Sequence, residues 1–303
     1  MTTKLIILVA IALLVFGALL CIIVKAWRYR RNHPDEVYWP YNGPLHKKKK
    51  SKPGITTTLV AILTLSTLMW TNGLMAQNGA PDGTREHPYP IGDISTLISF
   101  AQCINNNQPF SFENGKFVFD IDGNIPAGGA GTYFEQTADI DMNSANWNIP
   151  IGKQNKGFEG TYLGGGHKIM NLTLSAANPA LFRYSKGHIS DLTIENPVFE
   201  GTFNDGGALA TYVMGGTIDN CHVTGNDLVF SGKDCGALIG WVGQLSDYYK
   251  ADSITISNCS NRCHITSTYQ QSNANDQNSV AGVVAVINAR HYVVTRCFNT
   301  GDI

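Results

Sequence analysis

The chain has 303 residues, of which 43% are hydrophobic and only 15% charged. That is enough for one or two domains with a real core, but too little charge for long helical bundles. The net charge of −1 hides an asymmetry: residues 1–52 hold ten of the 22 Lys/Arg and two of the 23 acids, which leaves 12 basic and 21 acidic residues in 53–303, a net of −9. A segment that acidic does not bind nucleic acid through counterion release, so no nucleic-acid partner is expected.

The first element is Leu5 to Val24, LIILVAIALLVFGALLCIIV, 20 residues without a charge. That length crosses a hydrocarbon core of roughly 30 Å as a helix. A soluble helix is rarely apolar all round, so residues 1–27 read as a transmembrane helix. Nine Lys/Arg lie between Lys25 and Lys52, and the positive-inside bias makes 28–54 a basic cytoplasmic linker. Next, Ile55 to Ala76 follows HKKKKSKPG with a basic n-region, an apolar h-region and the small Ala76 before Gln77. That is the layout of a secretory signal peptide. Leu74 suits the −3 position less well than alanine, which keeps a retained second membrane helix as the alternative. Both readings send 77–303 out of the cytoplasm. A natural start near residue 45 would leave the first segment untranslated.

Residues 77–157 read as a leader and N-terminal cap. Within them, Ile94, Leu97, Ile98 and Ala101 recur at helical spacing behind Asp93, a plausible N-cap. This predicts a helix over 93–105, placed to cover the open end of whatever follows.

From residue 158 onward the chain repeats. Five segments share a β-branched residue, then x, then usually Asn or Asp, then Leu or Cys: IMNLTL (169–174), ISDLTI (189–194), IDNCHV (218–223), ISNCSN (256–261) and VTRCFN (294–299). A second series, ALF (180–182), GALA (207–210), GALIG (236–240) and AGVVA (281–285), precedes four of them. Repeats of 20 to 40 residues that cannot close a core alone imply a stacked array. Short strands with glycine turns and no helical period predict an all-β, right-handed parallel β-helix (a solenoid), in which equivalent residues form vertical columns.

The expected apolar columns are Ile169, Ile189, Ile218, Ile256 and Val294, and Leu172, Leu192, Cys221, Cys259 and Cys297. They are three residues apart, so strict alternation would set them on opposite faces. The intervening Asn171, Asp191, Asn220, Asn258 and Arg296 resolve this. Asn and Asp tolerate left-handed backbone geometry, and one such residue bends the strand at a corner so that both columns point inward. Their amides can also hydrogen-bond along the stack.

The exported part holds Cys103, Cys221, Cys235, Cys259, Cys263 and Cys297. The stacked cysteines read as small buried hydrophobes; pairing of Cys235 with Cys263 stays open. No C-x₂-C pair supports zinc, and no cofactor is expected. Gly164-Gly165-Gly166-His167-Lys168 lacks the Ser/Thr and the following helix of a phosphate loop. It reads as a tight turn with glycines at positive φ.

These strings resemble the GLUG-motif repeat proteins, large adhesin-like secreted or surface proteins of bacteria. The resemblance begins at DGTREHPYPIGDISTLISFAQCINN (82–106) and runs through YFEQTADIDM (133–142), WNIPIG (147–152) and FEGTYLGGGHKIMNL (158–172). The GLUG-like elements are 206–226, 235–259 and 281–303. It implies a right-handed β-helix and an adhesive role. No polar cap follows Asp302-Ile303, where a further coil would be expected.

Two functions compete. In one, the β-helix is a rigid stalk or display surface at the bacterial cell surface, outer membrane or outside the cell, or tethered in the periplasm by its N-terminal helices. Its loops then bind a glycan or protein partner, with Trp241, Tyr248, Tyr249, Tyr269 and Tyr212 as candidate contacts. The other is a β-helix polysaccharide lyase or glycoside hydrolase, which needs clustered acids; Asp139, Asp141, Asp191 and Asp219 are the candidates.

Overall fold

The computed structural model describes residues 80–303, apart from 144–145, 155, 176, 178, 202, 244–252 and 271–277. The membrane and signal readings of 1–76 fall outside the described residues. Among the described residues, no helix is long and apolar enough to cross a membrane.

The predicted helix, α1, spans Ile94–Asn106. Asp93 caps it: its backbone is extended and its carboxylate accepts from the Thr96 N–H at 2.7 Å. Asn107 ends it in left-handed geometry. The buried stripe is Leu97, Phe100, Ala101 and Ile104, whereas Ile94 and Ile98 are only half-buried. Behind α1, strands Phe110–Glu113 and Lys116–Phe119 form an antiparallel hairpin. Asn114 and Gly115 turn it, both at positive φ, as a two-residue hairpin loop requires.

The remaining strand pairs are parallel and stack coil on coil as a β-solenoid. The first face holds Tyr89–Ile91, Tyr133–Gln136, Thr161–Leu163, His188–Ser190, Gly216–Asp219, Ile254–Ser257 and Tyr292–Thr295, in that order. The second holds Ile140–Asp141, Lys168–Met170, Thr193–Glu195, His222–Thr224, Ser260–Asn261 and Phe298–Asn299. A third series begins with Asn146–Trp147, Thr173–Leu174 and Val198–Phe199. Before the first face of the next coil, the chain runs through Phe182–Ser185, Ala210–Val213, Ile239–Gly243 and Val284–Asn288, which also stack. The GALA and GALIG strings lie where this last face is entered, with Gly207 paired to Gly236 and Ala210 to Ile239.

The core is a set of columns. Phe134, Tyr162, Ile189, Ile218, Ile256 and Val294 lie in register on the first face. The first five are fully buried, each inward aliphatic contributing about 1.5–3 kcal/mol of hydrophobic stabilisation. Toward α1 the column becomes aromatic. Phe100 of the helix packs on Phe134, Phe158 and Tyr162 with ring centroids 4.7–6.1 Å apart. The helix therefore closes the interior of the first coils with large rings rather than with a further strand.

One part of the expected register is corrected. Ile169 does not stack on Ile189; it pairs with Ile140 below and Ile194 above, on the second face. Asn171 and Leu172 move with it. The coil has two left-handed corners, and both use the same local solution. Asp191, Asn220, Asn258 and Arg296 form the first corner, at φ 50–56°. Asn171 (φ 56°) and Asn196 (φ 54°) belong to the second. A short motif set by corner geometry alone recurs wherever such a corner occurs, so IMNL and ISDL match in sequence while standing at different corners. Their spacing of 20 residues, against 29, 38 and 38 further on, is the trace of this in the sequence.

Candidate functional site

The corner side chains bond from coil to coil. Asn220 donates its amide to the Asp191 carboxylate at 2.8 Å, and Asn258 donates to Asp219 at 2.7 Å. At the second corner Asn171 donates to Asp141 at 2.8 Å, and Asn196 donates to the Asn171 oxygen at 3.3 Å. Each amide satisfies an acceptor one coil away, so these residues hold coil spacing rather than waiting for a ligand. A further ladder lies inside. Asn261 is fully buried; its amide donates to the Asn299 oxygen at 2.7 Å and to the Cys263 carbonyl at 2.8 Å, and its own oxygen accepts the Cys263 N–H at 3.1 Å. Periodicity alone gives no warning of this inward asparagine, because its position on the column is Ile or Val in the coils below it.

The cysteines follow the same logic. Leu192, Cys221, Cys259 and Cys297 are stacked by the second-face register, one residue before Thr193, His222, Ser260 and Phe298; Leu172 stands elsewhere. The thiols of Cys221, Cys259 and Cys297 each donate to the carbonyl two residues back, at 3.1–3.3 Å. None of the six described cysteines is in a disulfide. Burial pushes Cys103 and Cys263 up to about 11 and Cys235 up to about 12, so these thiols stay protonated at neutral pH.

The four candidate acids are occupied: Asp141, Asp191 and Asp219 accept from the corner amides, and Asp139 from the backbone of the next coil. Asp139 accepts from the Lys168 N–H at 3.0 Å and sits 3.1 Å from the His167 imidazole. Asp141 also accepts from the Asn143 N–H at 2.8 Å, and Asp219 from the Ser257 hydroxyl at 2.6 Å. The Lys168 N–H holds Asp139 below the usual carboxylate range, with His167 adding to it, and the Asn171 amide does the same for Asp141. A depressed value suits a permanent acceptor, not a general acid. The glycine-rich turn beside them has Gly165 and Gly166 at positive φ. Among the described residues, no group of three or more His, Cys, Asp or Glu is arranged to hold a metal ion.

Of the candidate aromatic contacts, Trp241 lies in register with Tyr212, which in turn pairs with Tyr184. The two tyrosine rings stack at 4.7 Å and 16° and are 95% buried. Tyr212 donates its hydroxyl to the Asp205 carboxylate, and burial raises the Asp205 pKa. The two tyrosine rings pack on each other and are not offered to solvent as a sugar platform, and Trp241 packs against them and is half-buried. Tyr269 is half-buried, and Tyr248 and Tyr249 fall outside the described residues.

The structure instead opens a groove that sequence reasoning missed. It has a volume of about 530 Å³ and lies between α1, the hairpin and the first coils. Gln102, Asn105 and Asn106 of the helix line it, with Phe119 from the hairpin, Asn148 to Pro150, Gly152 and Lys153 from a loop, and Arg183. Asn105 pins the loop to the helix: its amide donates to the Pro150 carbonyl at 3.0 Å and its oxygen accepts the Gly152 N–H at 2.7 Å. Gly152 is required there, since it sits at φ +85° and a Cβ would stand 2.3 Å from the Tyr184 carbonyl oxygen. The residues of this wall are 81 positions apart from Gln102 to Arg183, so no local motif marks it.

No family model matches the chain, and no curated protein matches it. Among solved structures it is similar to the crystal structure of a "putative immunoglobulin A1 protease from Bacteroides ovatus", at 19% identity and a TM-score of 0.48 over 74% of this chain. The likeness spans 60% of that protein's length, and at this level it assigns no activity here.

Proposed function

We propose that residues 77–303 are an exported structural and adhesive module of the GLUG-like kind. In this reading a right-handed solenoid at the bacterial cell surface displays side chains that bind a glycan or protein partner. The N-terminal apolar segments export the module or tether it to the membrane. One observation carries the reading. The polar residues that repeat along the coils are used in coil-to-coil hydrogen bonds, including all four acids that a lyase or glycosidase would need. What remains for function is a stiff column with irregular loops and a lined groove.

The test is a binding screen of the purified chain against immobilised bacterial and host glycans and matrix proteins, beside a turnover assay on acidic and neutral polysaccharides. Binding without product release is the expected outcome. Sustained chain cleavage, abolished by Asp141→Asn or Asp219→Asn in protein that is still folded, would replace this reading with an enzymatic one.

A further inference from the structure

From its lining, we infer that the groove beneath α1 is a binding site for an anionic saccharide, a short uronate-containing chain. The inference rests on the reading of the protein as a binding module and supplies its ligand class. A volume of about 530 Å³ is in the usual range for small-molecule sites. Gln102, Asn106 and Asn148 supply amides, which both donate and accept, as sugar hydroxyls demand. Among the described residues of the lining, Lys153 and Arg183 are the charged groups, with no carboxylate among them. In a segment whose net charge is −9, a groove lined by two cations and no acid is a local reversal of sign, and it favours an anion over a neutral sugar.

The apolar part of the lining fits the same ligand. Phe119 is 61% exposed, although its hairpin neighbours Phe110 and Phe117 are buried. It stands at the groove with Ile149 and Pro150, a surface on which the C–H face of a sugar ring can lie. The wall is also preorganised. Asn105 locks loop to helix. The Arg183 guanidinium lies 5.5 Å from the Tyr184 ring centroid, and its backbone N–H donates to the Ile151 carbonyl at 2.7 Å. Little ordering is then left for the moment of binding.

The experiment is calorimetric titration of the full chain in detergent with three probes: trigalacturonate, its methyl ester and triglutamate. Trigalacturonate binds, the ester binds about tenfold more weakly, and triglutamate, which has the charge without the ring faces, is weaker by about the same factor. Lys153→Gln with Arg183→Gln weakens trigalacturonate about tenfold or more and leaves the ester nearly unchanged. Phe119→Ala weakens both sugars about fivefold. Lys153→Gln alone changes an exposed residue and gives a partial loss even if the Arg183 variant folds poorly. Three results would overturn the assignment: no binding of trigalacturonate, equal binding of ester or peptide, or binding indifferent to all three substitutions. In the last case the chain still binds a glycan, so the module reading survives and only the groove is lost. Binding of no partner in the broader screen would remove the module reading itself.

Discussion

Asn258 offers the sharpest test of the corner chemistry. It sits at φ 56° and donates its amide to Asp219 at 2.7 Å. Replacement by alanine removes a hydrogen bond to a charged acceptor and leaves a Cβ-bearing residue without a local partner in left-handed geometry. The bond contributes about 1 kcal/mol here, because the pair is part-exposed and Asp219 keeps the Ser257 hydroxyl. The left-handed backbone costs alanine about 1–2 kcal/mol. Asn258→Ala therefore destabilises by about 2–3 kcal/mol and Asn258→Gly by only about 1, since glycine adopts positive φ freely. Urea unfolding followed by far-UV circular dichroism measures both. The gap between the two variants isolates the backbone cost from the lost bond. Equal destabilisation by alanine and glycine, or a neutral alanine variant, would refute the claim that left-handed corners set the residue type.

Arg296 occupies the same corner one coil on, exposed and at φ 53°, so Arg296→Gly should raise the unfolding free energy by about 1 kcal/mol in the same assay. Thiol labelling of native protein at pH 8 should modify Cys297, the half-buried member of the stack, well before Cys103, Cys235 and Cys263. Simultaneous modification of all four would mean that the coils open readily. Asp139 and Asp141 have depressed values when folded. Their stabilisation is present above the unfolded carboxylate value near about 3.9 and is lost as pH falls through the lower folded values. Melting temperature should hold through mildly acidic pH and drop below about pH 4, with Asp141→Asn shrinking the drop. Asp205 runs the other way: its raised value adds stability below the unfolded value that is lost as pH rises, so Asp205→Asn should flatten that opposite limb.

The order of strands, the pairing of Ile189, Ile218, Ile256 and Val294, and the left-handed corners were legible because each rests on local chemistry that repeats along the chain. A β-branched residue fits a pleated strand, and Asn or Asp fits a corner. The sequence thus pointed by itself to a chain that stacks and to Ile189, Ile218 and Ile256 as inward side chains, whereas Val294 of the same column is 39% exposed and the inward Asn261 gave no signal. It could not say which corner a motif belonged to, as Ile169 and Asn171 demonstrate, because one local geometry serves two places in the coil. Only the tertiary structure turned the candidate acids into coil-to-coil hydrogen-bond acceptors and buried the Tyr184–Tyr212 stack. It alone brought Gln102, Phe119, Lys153 and Arg183 to one groove. Those outcomes depend on contacts between residues far apart in the chain, and such contacts leave no period behind for a linear reading to find.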